Sequence, residues 1–174
     1  MSTHFDIFGL KPSVDVDVKA LEASYRKLSL ELHPDRNPDA RVQAAEKSAS
    51  LNEAFKVLKD PVRRAFYLLR LNGVDLEREE SGAQGRNLGL PMEFLEQILD
   101  QREALDEARQ RKDPAAARRM GESIRQQMDR ALTEAFAALR AAPVMIATAK
   151  DQLARVRYYQ RFLEEVEAIE EAVA

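Results

Sequence analysis

The chain has 174 residues, 45% of them apolar and 33% charged, and its net charge is −3. It has no cysteine and only two histidines, which excludes disulfides, thiol catalysis and zinc–thiolate sites, so we expect no metal and no cofactor. The acidic balance argues against a nucleic-acid partner, and no apolar run approaches the roughly 20 residues that cross a bilayer. Because the N-terminus carries no export or import signal, the sequence predicts a cytoplasmic protein, most simply a bacterial one.

The predicted elements are all helices, because Ala, Leu, Glu, Arg and Gln dominate and β-branched runs are absent. A helical turn is expected at 5–10. Asp17 is expected to cap a helix that runs to about Leu32, with an apolar stripe at a helical spacing. That stripe contains Leu21, Tyr25, Leu28 and Leu32.

A second helix over about 41–59 carries a matching stripe, and a short helix over 62–71 offers Phe66 and Leu69. The second stripe contains Ala44, Leu51, Phe55 and Leu58. The first unit, 1–75, is therefore predicted to be an antiparallel helical hairpin with short flanking helices.

Glycine divides the chain, since three of the six glycines lie at 82, 85 and 89. Glycine interrupts helices, so we predict a linker over 76–90. Residues 1–75 carry 12 basic and 11 acidic side chains, whereas the remainder carries 15 and 19. The C-terminal part therefore holds the acidity.

Three longer helices are expected after the linker, over about 91–111, 114–141 and 144–172. Their stripes are Phe94-Ile98-Leu105-Ala108, Met120-Ile124-Ala131-Ala135-Leu139 and Leu153-Val156-Leu163-Val166. Because the connections near Pro114 and Pro143 are short, the economical arrangement for 91–174 is a three-helix bundle.

The stretch His33-Pro34-Asp35 follows the first long helix and precedes a proline-containing loop. By itself the triplet can be a simple helix stop, since histidine suits a helix C-terminus and proline ends the helix. A binding role is the alternative. Pro34 restricts the backbone of His33 and preorganises the loop, and Asp35 can accept a two-pronged hydrogen bond from a partner arginine.

Several separated segments, in order, resemble the J-domain of co-chaperones that activate DnaK-type ATPases. They are "FDIFGL" at 5–10, Tyr25-Arg26-Lys27, His33-Pro34-Asp35 and "NEAFKVLKDPVRRAFY" at 52–67. The resemblance implies that His33, Pro34 and Asp35, with Tyr25, Arg26 and Lys27 of the preceding helix, bind the chaperone. For Arg26 or Lys27 taken singly, an ordinary solvated helix face is the alternative.

The rest of the chain is similar to HscB, the J-domain co-chaperone of iron–sulphur cluster assembly. "AFYLLRLNGVDL" and "PMEFLEQILDQREALDEARQRKD" carry this likeness, and the Gly/Phe-rich and zinc-binding regions of general J-proteins are missing. The resemblance implies two protein partners, the chaperone HscA and the scaffold protein IscU, and implies that the C-terminal bundle binds IscU.

A surplus of apolar residues on the first bundle helix independently suggests a partner site. Leu95 and Leu99 lie beside the predicted core stripe, edged by Glu96, Asp100, Glu103 and Glu107. An apolar patch with an acidic border is typical of a protein-binding surface, although these leucines could instead widen the core stripe. The resemblance to HscB favours the binding site.

The same resemblance adds Tyr158 to the patch, since it lies off the core stripe and matches a family aromatic, whereas Tyr159 is expected in the core. Glu96 stands where the family often has methionine, which implies a smaller and more electrostatic contact. Together these residues form the predicted scaffold-binding site.

Three other functions are alternatives. An enzyme is disfavoured because the sequence has no phosphate-binding loop and no third group beside His33 and Asp35. A nucleic-acid role for "RRAFYLLR" at 63–70 is disfavoured by the acidic bundle. The closest rival is a J-domain co-chaperone whose bundle binds a different client protein.

Overall fold

The computed structural model describes residues 2–32, 41–81 and 88–172. Throughout these ranges the regular structure is helical, which confirms the predicted all-α class. The chain divides into two compact units, Met1–Leu71 and Asn72–Ala174, and each has its own buried core. None of the helices in the described ranges is long and apolar enough to cross a membrane.

The first unit is an antiparallel hairpin with a short helix at each end. Its helices are α1 (His4–Ile7), α2 (Val18–Glu31), α3 (Arg41–Lys59) and α4 (Pro61–Leu71). Three contacts pair α2 with α3: Lys59 with Glu22 at 2.9 Å, Tyr25 stacked on Phe55 at 4.1 Å, and Ser48 donating to the Leu32 carbonyl at 3.2 Å. The reversed order of these partners shows that the two helices run antiparallel, as predicted.

The cap of α2 also follows the prediction. The Asp17 carboxylate accepts hydrogen bonds from the amides of Lys19 and Ala20 at 2.9 and 3.1 Å. These bonds satisfy amides that have no partner inside the helix, which fixes where α2 begins. In α4 the burial differs from the prediction, because Tyr67 is buried beside Leu69 while Phe66 is half-buried.

Arg64 is a buried cation that the sequence pattern did not reveal. Its Nε donates to the Val14 carbonyl at 2.9 Å, and its Nη1 donates to the Leu58 carbonyl. Burial lowers the pKa of Arg64, while Asp15 and Asp60 oppose that shift. The side chain ties the segment before α2 to the end of α3, so part of the basic run at 63–70 serves the core.

The environment of His4 predicts a pH dependence of stability. The His4 ring stacks on Tyr67 at 4.3 Å, and the Arg70 guanidinium lies 5.1 Å from the centre of the Tyr67 ring. Burial, and then the charge of Arg70, lower the pKa of His4, although Glu53 opposes them. The unfolded chain therefore binds a proton more readily than the folded chain does.

The free energy of unfolding should consequently fall as the pH drops below the ordinary histidine pKa of about 6.5, and be restored above it. Urea unfolding of the wild type and of His4→Gln, followed over about pH 5–7.5, measures the effect. The variant should show a weaker fall than the wild type. Equal pH slopes for the two proteins would contradict the proposed titration of His4.

The second unit begins earlier than the sequence suggested. Its helices are α5 (Leu76–Ser81), α6 (Met92–Gln110), α7 (Pro114–Arg140) and α8 (Ile146–Glu171). The stretch 76–90, predicted as a linker, therefore opens with a helix. Residues 82–87 of that stretch lie outside the described residues.

Charge pairs join α5 to α8. Glu79 pairs with Lys150 at 2.7 Å, and Glu80 pairs with Arg157 at 2.6 Å and also contacts Arg161. Leu76 is buried. Glu80 and Arg157 are 77 residues apart in the chain. The local sequence around the glycines therefore could not indicate that these residues pair.

Helices α6, α7 and α8 form the predicted three-helix bundle. Phe94 packs edge-on against Tyr159 at 5.8 Å, and Arg102 pairs with Glu165 at 3.0 Å, so α6 and α8 run in the same direction. Arg118 pairs with Glu170 at 2.7 Å, which places the start of α7 beside the end of α8. The core differs slightly from the predicted stripes, since Ala138 and Phe162 are buried whereas Met120, Leu139 and Leu163 are half-buried.

Gly121 allows α7 to approach α8 closely. A Cβ at this position would lie 3.1 Å from Val166 Cγ1 and 3.8 Å from Leu163 Cδ2. Valine adds two methyl groups beyond that Cβ, so the overpacking cost of Gly121→Val, about 1–3 kcal/mol of unfolding free energy, should exceed the few tenths regained by removing a glycine from a helix.

Ala137→Val is the matched control, because residue 137 lies on α7 but is exposed. It reports the small cost of a β-branched residue in this helix without the clash. Thermal and urea denaturation compare the two variants. If they were equally stable, the close approach at Gly121 would not limit packing.

Candidate functional site

The two predicted binding sites lie on different units. His33, Pro34 and Asp35 fall in the stretch 33–40, outside the described residues. The other predicted chaperone-binding residues, Tyr25, Arg26 and Lys27, lie on α2. The predicted scaffold-binding residues lie on α6 and α8.

Tyr25 has a structural role within the first unit. Its hydroxyl donates to Asn52 Oδ1 at 2.8 Å, and its ring stacks on Phe55 at 4.1 Å. Both partners belong to α3, so Tyr25 helps to fix the hairpin. The Tyr25 side chain is half-buried, so part of it remains accessible to solvent.

Arg26 and Lys27 are both exposed on α2. They point away from the side of α2 that buries Leu21, as their positions off the apolar stripe predicted. Arg26 is close enough to Glu22 to help lower the pKa of that carboxyl group, after the larger effect of Lys59. The exposed surface of α2 is therefore positively charged near Lys59, at the end of α3.

The leucines of the predicted patch are accessible to different degrees. Leu99 is 59% exposed and Leu95 is half-buried, whereas Phe94 and Ile98 face the core. Leu99 is thus not a core residue. For this side chain, the alternative that it widens the core stripe is wrong. Leu95 lies at the boundary between the core and the surface.

Met92 is a patch residue that the sequence reasoning missed. It is 66% exposed at the first position of α6. Its spacing of three and seven from Leu95 and Leu99 places all three on one face of the helix. The sequence already contains that spacing. Met92 was overlooked because it precedes Phe94, the first residue of the predicted core stripe.

Tyr158, the predicted aromatic of the patch, contacts the buried Phe94. Its ring meets Phe94 edge-on, with 6.0 Å between ring centres, and Phe94 directly precedes Leu95. Burial raises the pKa of the Tyr158 hydroxyl, and nearby Arg102 opposes the shift. Tyr159 is buried, as predicted.

The acidic border is exposed along α6. Glu96, Asp100, Glu103 and Glu107 are all exposed, and the Glu107 carboxylate pairs with Arg111 at 3.2 Å within the same helix. We call Met92, Leu95, Leu99 and Tyr158, together with these four acids, the α6 patch. It is an apolar surface beside a row of carboxylates, which suits a partner with a complementary apolar and basic surface.

Two family models match the chain, one for each unit. The DnaJ domain matches residues 3–67, and the HSCB C-terminal oligomerisation domain matches residues 90–167. The first match covers α1 to α4 with the predicted J-domain segments. The second covers the three-helix bundle with the α6 patch.

Two relatives that match over most of the chain agree with both family models. A co-chaperone protein HscB homolog from Neisseria meningitidis is 34% identical over 134 residues, which cover 75% of this chain and 77% of the relative. A homolog of the same name from Shewanella baltica is 28% identical over 98% of both chains.

Two solved structures have the same fold. Chaperone HscB from Vibrio cholerae has a TM-score of 0.78 at 26% identity, covering 99% of this chain and all of that one. Human co-chaperone protein HscB has a TM-score of 0.80 at 22% identity, covering 96% and 81% of the two chains. The J-domain match, the bundle match and these relatives together show that the chain belongs to the HscB family of J-domain co-chaperones.

Proposed function

We propose that this co-chaperone stimulates the ATPase of a DnaK-type chaperone of the HscA kind and delivers an IscU-type scaffold protein to it during iron–sulphur cluster maturation. The J-domain engages the chaperone through His33, Pro34, Asp35 and the basic face of α2. The bundle holds the scaffold protein through the α6 patch.

The observation that carries this proposal is the exposed apolar face of α6. Met92 and Leu99 are 66% and 59% exposed on a helix whose other face already buries Phe94, Ile98 and Leu105. The bundle core is therefore complete without them, and large exposed apolar side chains beside a polar border are typical of a protein-binding surface. The family supplies the identity of the partner.

The positions of the two sites support a delivery role. The predicted chaperone site belongs to the unit Met1–Leu71, and the α6 patch belongs to the unit Asn72–Ala174. Because separate units carry the two sites, the two partners would not compete for the same residues. Delivery needs that property, since the client must stay bound while the chaperone is activated.

The family resemblance also allows a bundle that binds a different client. A binding assay with purified IscU and a panel of unrelated proteins of similar size and charge separates the two functions. We expect selective binding of IscU, measured by calorimetry with the full-length chain. Equal affinity for IscU and for the unrelated proteins would favour the alternative client.

A further inference from the structure

A depression on the first unit is used by neither predicted site. It has a volume of about 510 Å³ and lies at the corner where α3 ends and α4 begins. It is lined by Phe55, Lys56, Lys59, Asp60, Pro61 and Arg63. We call it the corner notch.

The apolar part of the corner notch is formed by Phe55 and Pro61. The Phe55 ring is fixed, because it stacks on Tyr25 at 4.1 Å and the Lys59 ammonium lies 5.4 Å from its centre. A rigid aromatic surface of this kind can receive an apolar side chain with little loss of conformational freedom.

The charges around the corner notch leave an excess of positive charge at its rim. Lys59 is paired with Glu22 at 2.9 Å. The Asp60 carboxylate accepts from the amides of Val62 and Arg63 at 2.8 and 2.9 Å, so it is occupied as the cap of α4.

Two cations at the rim remain available. Lys56 and Arg63 are both exposed. Neither of them forms an ion pair with another residue of the described ranges. A carboxylate that enters the notch would therefore meet two exposed cations that are not already paired with an acid of the described ranges. The first amides of α4 already donate to Asp60. An anion in the notch would therefore bind the side chains of Lys56 and Arg63, not the N-terminus of α4.

The corner notch is continuous with the basic face of α2. Tyr25 stacks on Phe55 in the notch, and Glu22 pairs with Lys59 at its edge. Arg26 lies near Glu22, since its charge helps to lower the pKa of that carboxyl group after the larger effect of Lys59. The surface from Arg26 to Arg63 thus forms one connected area on the first unit.

We propose that the corner notch is a second docking point for the DnaK-type chaperone and receives an acidic segment of it, in which an aspartate or glutamate neighbours an apolar side chain. The carboxylate pairs with Lys56 and Arg63, and the apolar side chain lies on Phe55 and Pro61. This inference rests on the proposed function, because it assigns the notch to the same partner that the α2 face binds.

The test replaces the two available cations in the full-length chain. In Lys56→Glu/Arg63→Glu the dissociation constant for the HscA/DnaK-type chaperone, measured by biolayer interferometry with ATP, should rise at least about fivefold at low salt. The salt dependence of binding should become shallower. Maximal ATPase stimulation at saturating co-chaperone should be unchanged, since His33, Pro34 and Asp35 are intact.

A control with the same change in net charge is Arg119→Glu/Arg130→Glu, which alters two exposed positions on α7. It should bind the chaperone as the wild type does. If the notch variant matched this control while the wild type bound and stimulated the chaperone, the notch inference would be wrong and the proposed function would stand. If the wild type neither bound nor stimulated, both would fail.

A neutral variant keeps the test decisive if the charge reversal disturbs folding, as judged by circular dichroism. Lys56→Gln/Arg63→Gln removes both charges without adding repulsion. It should weaken binding less than the reversal does, by about twofold or more. Wild-type affinity in this variant would also overturn the inference.

Discussion

Replacing Asp35 with asparagine should abolish stimulation of the chaperone ATPase. The substitution keeps the size of the side chain but removes the negative charge that can accept two hydrogen bonds from a partner arginine. Position 35 lies beyond the last residue of α2, Glu31, so helicity should not change. Steady-state ATPase measurements with HscA, over a range of co-chaperone concentrations, report the loss.

IscU binding is the internal control for Asp35→Asn, because the α6 patch lies on the other unit. The variant should bind IscU with the affinity of the wild type. If Asp35→Asn stimulated the ATPase normally, the stretch His33-Pro34-Asp35 would be only a helix stop and the proposed mechanism would be wrong.

The triple substitution of Leu95, Leu99 and Tyr158 by alanine should weaken IscU binding at least about tenfold, or about 1.4 kcal/mol. Together the three side chains can bury about 200–300 Å² of apolar area. At about 25 cal/mol per Å², this burial is worth several kcal/mol before the costs of association are subtracted. Calorimetry with a variant shown to be folded by circular dichroism measures the change. Basal stimulation of the chaperone should persist.

A matched control removes apolar area elsewhere on the same unit. Met145 and Ile146, at the connection between α7 and α8, are 54% and 37% exposed. Met145→Ala/Ile146→Ala should leave IscU affinity close to that of the wild type. If this control weakened binding while the triple variant did not, the scaffold protein would bind the α7–α8 end of the bundle instead.

The acidic border of the α6 patch should act mainly on the rate of association. Asp100, Glu103 and Glu107 are exposed, and rim charges steer encounter more than they hold the complex. Association rates measured at two salt concentrations therefore distinguish these acids from the leucines. Replacing the acids should change the salt dependence of the association rate more than replacing the leucines does.

The helices could be predicted closely because their signals are local. Asp17 lies directly before α2, and its carboxylate accepts from two amides of the first turn. Apolar side chains at a helical spacing then identify the buried face. Such signals need only a few neighbouring residues, so a sequence alone displays them.

The features that were missed depend on partners far along the chain. The short helix α5 pairs with α8 through Glu79 and Glu80, so the glycines that follow it did not indicate that residues 76–81 are helical. Arg64 is buried because it donates to backbone carbonyls of Val14 and Leu58. Carbonyl groups have no sequence signature, and Arg64 therefore resembled an ordinary surface arginine.

The candidate sites were predicted from two kinds of information. The exposure of Leu99 and the placement of Tyr158 beside Phe94 agree with the off-stripe pattern of α6 and α8. The partners themselves were inferred from family resemblance, because an apolar patch does not specify which protein covers it. The corner notch was absent from the sequence reasoning, since it forms only when α3 and α4 meet.

The most direct test of the proposed function is the steady-state ATPase rate of HscA with the full-length chain, measured with and without IscU. We expect the chain alone to raise the rate, and the chain with IscU to raise it further than either protein does by itself. A rate that does not respond to the chain, or a chain effect that IscU leaves unchanged, would contradict a co-chaperone that couples scaffold delivery to ATP hydrolysis.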